Sequence, residues 1–261
     1  MSHLLAGKRA LVAGIGPGLG QAIAHRLADH GAEVMVLARS EDRVLALVDE
    51  INARGGRAHG CIGDITDVAA CSAAAERVDQ GMGGLEILVN SAFRMGKPVP
   101  FANADLEKWD NVFATNVRGT LNLTQQLLPK LAESGNGRVI NIGSMSARRV
   151  RSGEGAYAAS KAALATLTQT LALELGASGV RVNMVAPGWM WGAPVKTFVE
   201  WEMQRRGITE AEVVEEITRT IPLGFIPPQE EVADAVVFFA SDLARSITGQ
   251  ILDVNGGEFF G

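Results

Sequence analysis

Tyr157 and Lys161 stand four residues apart in Tyr-Ala-Ala-Ser-Lys, and Tyr157 is the only tyrosine in the chain. The surrounding stretch, Ala156–Leu175, is rich in alanine and leucine, which are strong helix formers. A spacing of i,i+4 places both side chains on one helix face. An ammonium beside a phenol stabilises the phenolate, so the spacing predicts a phenol pKa below its ordinary value of about 10. That would make Tyr157 a general acid or base. The plain alternative is a surface pair without chemistry.

A second chemical signal lies near the N-terminus. Gly14-Ile-Gly16-Pro-Gly18-Leu19-Gly20 follows the apolar run Arg9–Ala13 and opens the helical pattern Leu19–His30. A strand, a glycine turn and a helix N-terminus together form an anion site, because bare backbone can approach a phosphate closely. The spacing is G-x-x-x-G-x-G rather than G-x-G-x-x-G. At the first strand–helix turn it predicts dinucleotide binding. The second apolar run ends in Ala38-Arg39-Ser40. A site for NAD usually carries an acidic residue there. Here a guanidinium is available to pair with a 2′-phosphate. Arg39 and Ser40 therefore predict NADP(H) in preference to NAD(H), which remains possible.

These groups need a scaffold, and the sequence describes one. Seven short apolar runs are candidate strands: Arg9–Ala13, Glu33–Ala38, Ala58–Ile62, Glu86–Asn90, Arg138–Ile142, Val180–Val185 and Gln250–Val254. Near-continuous apolar character marks parallel strands buried on both faces. Between them lie helical patterns at Leu19–His30, Glu41–Arg54, Val68–Gln80, Leu106–Leu131, Ala156–Leu175 and Gln229–Ala240. The alternation predicts an α/β fold: one doubly wound Rossmann-type domain over residues 1–261, with a seven-stranded parallel sheet and helices on both faces. Residues 188–228, rich in Trp and Pro, read as an insertion with a charged helical piece near Thr209–Thr220. Loops of that length usually serve as lids or binding loops.

Composition removes other function classes. A net charge of −5 argues against a nucleic-acid surface. Cys61 and Cys71 give neither a disulfide framework nor zinc spacing, and His3, His25, His30 and His59 form no metal motif. Met1 to Lys8 has no apolar leader core, and no run approaches the length of a membrane span. The expectation is a cytoplasmic protein with a small-molecule substrate, no metal, no membrane and no nucleic acid. Ser144 is no serine-hydrolase nucleophile, since Ile142 occupies the place of the first glycine in G-x-S-x-G.

These motifs, in this order, resemble the short-chain dehydrogenase/reductase family in its compact form. The likeness covers nearly the whole chain. It is carried by Gly14-x-x-x-Gly18-x-Gly20, Asp64 in Gly-Asp-Ile-Thr-Asp, Asn90, Asn116 in Thr-Asn-Val, and Ser144 thirteen residues before Tyr157. Tyr157-x-x-x-Lys161, Pro187-Gly188, Ile221-Pro-Leu-Gly, Ile247-Thr-Gly-Gln and Asn255-Gly-Gly complete it. The resemblance implies that Tyr157 exchanges a proton with a carbonyl or alcohol. Lys161 would bind the nicotinamide ribose, Ser144 the substrate oxygen, and Asn116 would bend its helix and hold a relay water. Asp64 and Ile65 would contact adenine, Asn90 and Ala92 the ribose, and Pro187, Gly188 and Met190 the nicotinamide. It also implies a homotetramer built on Leu106–Leu131 and Ala156–Leu175.

Three positions depart from the family pattern. Ala13 stands where Thr is usual, Phe93 replaces the last glycine of Asn-Asn-Ala-Gly, and Gly192 replaces a Thr. Phe93 would line the substrate entrance, and the bulky apolar residues Trp189, Met190, Trp191, Phe198, Trp201 and Met203 suggest a large apolar alcohol or ketone: a steroid, terpenoid, aryl or alicyclic compound. Arg148, Arg149 and Arg151 keep a 3-oxoacyl thioester (acyl-carrier-protein) reductase open, although solvated loop residues would read the same way. A non-catalytic NADP(H)-binding regulator is the alternative of another class. Such a regulator has no need of Ser144, Tyr157, Lys161 and Asn116 together.

Overall fold

The computed structural model describes residues 3–260. Met1 and Ser2, part of the stretch read for a leader, and Gly261 lie outside the described residues. Seven strands form one parallel sheet: β1 (Arg9–Ala13), β2 (Glu33–Ala38), β3 (Arg57–Ile62), β4 (Ile87–Asn90), β5 (Gly137–Ile142), β6 (Val180–Pro187) and β7 (Ile251–Val254). Their order is β3-β2-β1-β4-β5-β6-β7. The chain therefore winds outward in one direction from β1 and in the other from β4. Ala13 pairs with Asn90 at the C-terminal ends of these two strands. A reversal of strand order leaves a crevice at that edge, where open α/β sheets bind ligands.

Both faces of the sheet are apolar, and alternate residues serve each. From β1, Ala10 and Val12 enter one core with Ile23, Leu27, Val44, Val232 and Val236. Leu11 and Ala13 enter the other with Val78, Leu123, Leu127 and Val182. The first core is covered by α1 (Leu19–Asp29), α2 (Glu41–Ala53) and α9 (Gln229–Ala240). The second is covered by α3 (Val68–Met82), α5 (Thr120–Glu133) and α6 (Gly155–Leu175). Helix starts follow their capping residues: Asp67 and Asp105 accept bonds from the amides of Ala69 and Glu107.

Two sequence expectations change. The helix read over Leu106–Leu131 is not continuous. It is α4 (Leu106–Phe113), a π-helical turn over Ala114–Gly119, then α5. Asn116 sits inside that turn, fully buried. Such π-bulges interrupt the i→i−4 ladder and cluster at functional sites. The segment 188–228 also holds more order than expected. Beside α8 (Glu210–Thr218) it forms α7 (Ala193–Arg206), which escaped the sequence reading. Val195 and Val199 of α7 pack with Val213, Ile217, Ile221 and Ile226 in a small core of their own. We call α7 and α8 the arm. Among the described residues, no helix is long and apolar enough to cross a membrane.

Candidate active site

The glycine turn is shaped by close approach. Gly14 adopts φ +89°, and its N–H donates to the Leu37 carbonyl at 2.8 Å. A Cβ there would lie 2.3 Å from the Ala92 Cα. A Cβ on Gly20 would lie 2.0 Å from the Gly14 oxygen, so only glycine fits either place. Gly16 faces open space, and Gly18 begins α1 without a side-chain cap. Bare backbone, an open face and an uncapped N-terminus at Leu19 suit a bound diphosphate. Arg39, 69% exposed, reaches Asp64 at 3.6 Å. Burial pushes the Asp64 carboxyl up, but hydrogen bonds from Thr66 and the Arg39 charge outweigh it and hold it below its usual range. Ser40 precedes α2, and Ile65 is buried behind Asp64.

On the same sheet edge, Tyr157 and Lys161 rise from the first turns of α6. The Lys161 ammonium is enclosed and donates to the Ile142 carbonyl at 2.7 Å. It lies 5.8 Å from the centre of the Tyr157 ring and 6.0 Å from that of Phe93. Phe93 meets Tyr157 edge to face at 6.3 Å. Ser144 leaves β5 beside them, and its Oγ accepts the Ser146 amide at 3.1 Å.

The expectation of a depressed phenol pKa is overturned here. Burial pushes the Tyr157 phenol up to about 12, against the downward pull of Ser144 and with a further push from Glu154. Burial likewise brings Lys161 down to about 8. Spacing along a helix brings an ammonium near a phenol but does not disclose the cost of burying both groups, which is the largest cause here.

The asparagines do structural work. Asn116 clamps the backbone of Arg94, accepting its amide at 2.7 Å and donating to its carbonyl at 2.9 Å. It also donates to Ser160 at 2.9 Å. The loop after β4 is thereby tied to the π-turn and to α6. Asn90 was expected along a ribose, yet its side-chain amide turns into the interior. It donates to Thr124 at 3.1 Å and to Asn141 at 2.9 Å, and Asn141 donates to Thr168 at 2.9 Å.

Pro187 ends β6, and the Gly188 amide donates to the Val254 carbonyl at 3.1 Å. Met190 packs on the main core. The two tryptophans expected together are separated. Trp189 lines a cavity of about 390 Å³ with Arg151 and Phe198. Trp191 is bridged to Pro228 and lines a different groove with Val214 and Phe225. The three arginines after Ser144 are not a free cationic patch. Arg148 pairs with Asp253, Arg149 with Glu258 at 2.6 Å, and Arg151 stacks on Trp189 at 4.4 Å.

Several residues here carried no sequence signal. Asn141 and Thr168 look like ordinary strand and helix polar residues. Gln229 opens α9 and donates to the Trp191 carbonyl at 3.2 Å, while its Oε1 would lie 3.2 Å from a Cβ on Gly18. It joins the glycine turn to the root of the arm. Glu258, from the C-terminal tail, is 1% exposed beside Arg149.

Residues 14–258 match the family model described as enoyl-(acyl carrier protein) reductase. The 3-oxoacyl-[acyl-carrier-protein] reductase FabG of Aquifex aeolicus is 36% identical, over 99% of this chain and 100% of its own. Among solved structures, L-sorbose reductase from Gluconobacter frateurii, complexed with NADPH and L-sorbose, superposes with a TM-score of 0.93. It is 28% identical, covering 99% of this chain and 98% of its own. A 7α-hydroxysteroid dehydrogenase complexed with NADH and 7-oxo glycochenodeoxycholic acid gives 0.89 at 33% identity, over 98% of this chain and 96% of its own. With the sheet order, the glycine turn and the Tyr157–Lys161 pair, these likenesses place the chain in the short-chain dehydrogenase/reductase family of oxidoreductases.

Proposed function

We propose that this protein interconverts a secondary alcohol and a ketone with a nicotinamide dinucleotide, preferring NADP(H). The observation that carries the reading is the convergence of Ser144, Tyr157 and Lys161 on the sheet edge that also holds the glycine turn. The cofactor supplies the hydride. Gly14, Gly16, Gly18, Leu19 and Gly20 cradle its phosphates, and Arg39 and Ser40 meet the 2′-phosphate. Asp64 and Ile65 border the adenine, Ala92 the ribose, and Pro187, Gly188 and Met190 the nicotinamide.

Tyr157 gives its proton to the carbonyl oxygen during reduction, and Ser144 holds that oxygen. A phenol at about 12 is fully protonated at neutral pH, which suits the reducing direction. Lys161 sits below Tyr157 and stabilises the negative charge that develops on it. Asn116 keeps the Arg94 backbone and Ser160 in place around the pair. Phe93 and Trp189 form apolar walls, favouring a bulky apolar substrate, and the arm is the lid over it. The relatives bind both NADPH and NADH, so preference rests on Arg39 and on the lack of a carboxylate at the end of β2. Exposed Leu173 on α6 fits burial between subunits in a homotetramer.

A carbonyl and alcohol screen with both cofactors, following reduced nicotinamide, tests the reading. Cyclic or aryl ketones should be reduced with NADPH, and Arg39→Ala should erode the NADPH preference about tenfold or more, the order of one charge-assisted contact. Equal use of both cofactors, unchanged by Arg39→Ala, overturns the preference. Turnover confined to small polyols overturns the substrate class. The FabG relative favours a second reading, a 3-oxoacyl thioester reductase, which acetoacetyl thioesters outperforming cyclic ketones would establish.

A further inference from the structure

The cavity beside Trp189 holds about 390 Å³. It lies between the loop that joins Ser144 to Tyr157, the residue after Gly188, both helices of the arm and the C-terminal tail. Four arginines and three glutamates line it. Each glutamate is paired with an arginine, while the second carboxylate oxygen of Glu258 is buried without a partner. Glu258 accepts Arg149 at 2.6 Å, Glu202 accepts Arg205 at 2.7 Å, and Glu216 accepts both terminal nitrogens of Arg206 at 2.6 Å.

Arg151 is the cation left over. It forms no ion pair with any carboxylate among the described residues; its guanidinium carbon lies over the Trp189 ring, 4.4 Å from the ring centre. Stacking uses the face of a guanidinium and leaves its N–H edge free to grip two oxygens at once. Behind it, Trp189 leans on Phe198 at 5.3 Å, and Phe198 on Trp201 at 6.3 Å. The cavity thus presents an aromatic wall, a net charge of one, and an unclaimed bidentate donor at one end.

We propose that this cavity is the outer part of the substrate site and that its ligand is an apolar carbonyl or hydroxy compound bearing a carboxylate. Arg151 determines that specificity by binding the carboxylate, while Trp189 and Phe198 hold the apolar body. The proposal rests on the oxidoreductase reading above, because that reading places the reacting carbon at Ser144 and Tyr157. It narrows the substrate from bulky apolar compounds to bulky apolar acids.

The test is a matched pair: an alicyclic keto acid and its methyl ester, with NADPH, on wild type, Arg151→Gln and Arg151→Lys. The wild type should favour the acid in kcat/KM by about ten- to a hundredfold, the scale of a charge-assisted bidentate contact, mostly through KM. Arg151→Gln should bring the acid down to the level of the ester. Arg151→Lys keeps the charge without the fork and should recover part of the preference. Equal use of acid and ester by the wild type, or a preference surviving Arg151→Gln, overturns the proposal while the oxidoreductase reading stands. If neither compound is turned over, that reading fails separately. Tryptophan emission titrated with each compound then decides the cavity. Quenching by the acid alone, absent in Arg151→Gln and in Trp189→Phe, supports it. Equal or no quenching by the two compounds sinks it.

Discussion

Around Tyr157 and Lys161, the polar groups are buried and bonded side chain to side chain across β4, β5 and α6. Around Trp189, they are ion pairs with a partly exposed member, mounted on an arm with its own small core. A buried hydrogen-bond network tolerates little displacement, because each broken bond strands a desolvated group. An exposed ion pair exchanges its partner for water at small cost. The first region holds a proton at a fixed place. The second can exchange its polar contacts for water at small cost.

The largest effect should come from the corner itself. Tyr157→Phe removes the phenol proposed as proton donor and leaves the ring contact with Phe93, so turnover should fall by about 10²–10⁴, the usual yield of general acid–base catalysis. Circular dichroism and the thermal midpoint should be unchanged. An active Phe variant would remove Tyr157 from the mechanism. Because the chain has one tyrosine, ultraviolet difference titration reports this phenol alone. In the cofactor-free protein its ionisation should come near pH 12. A midpoint at or below 10 would show that the lysine charge, and not burial, governs it.

Lys161 separates function from stability. Its folded-state pKa, about 8, lies below the ordinary 10.5. The folded protein therefore binds fewer protons than the unfolded chain between those values, and stability rises with pH across that window. Below about pH 8 the whole cost of burying the charge is present, about 3 kcal/mol. Lys161→Met removes that cost and leaves only the Ile142 carbonyl without a donor, a loss of about 1 kcal/mol. Turnover should collapse while the thermal midpoint at pH 7 rises by several degrees, and the gain should shrink toward pH 10.5. A lower midpoint at pH 7 would mean that the buried ammonium is a net support of the fold.

Asn141 probes the same network away from the chemistry. Asn141→Leu keeps the branched shape, with slightly bulkier ends, and strips a bond from Asn90 and another from Thr168. A stranded buried donor costs about 1–3 kcal/mol. The midpoint should drop by several degrees with little change in KM. No loss of stability would show that the network is dispensable.

The sequence discloses the corner far better than the arm, for a physical reason. Glycine where a Cβ would sit 2.3 Å from Ala92, and lysine one helical turn after tyrosine, are demands on residue type at short range. A reader of sequence sees short range. Asn141 meets Asn90 across 51 residues and Arg149 meets Glu258 across 109, contacts that sheet order and chain return create. Burial is non-local too, so the sign of the Tyr157 shift does not follow from the spacing to Lys161. Helix α7 escaped because its apolar residues serve two partners. Val195 and Val199 face the arm's core while Phe198 and Trp201 turn outward, so no single stripe forms.

The smallest effect should come from the arm, and it completes the comparison with Asn141. Arg206 makes two bonds of 2.6 Å to Glu216, tying α7 to α8, as Asn141 makes two bonds of 2.9 Å within the corner. By length and charge the Arg206 pair looks stronger. Its members are 35% and 43% exposed, so water and salt replace the bonds when they break. The shared apolar contacts of Val199, Val213 and Ile217 keep the helices together regardless. Arg206→Gln should therefore leave the thermal midpoint within about 1–2 °C of wild type, a surface-level effect. The salt dependence of stability should flatten slightly. A loss as large as that of Asn141→Leu would mean that the arm is held by its charges rather than by its core, and the two regions would then be built alike.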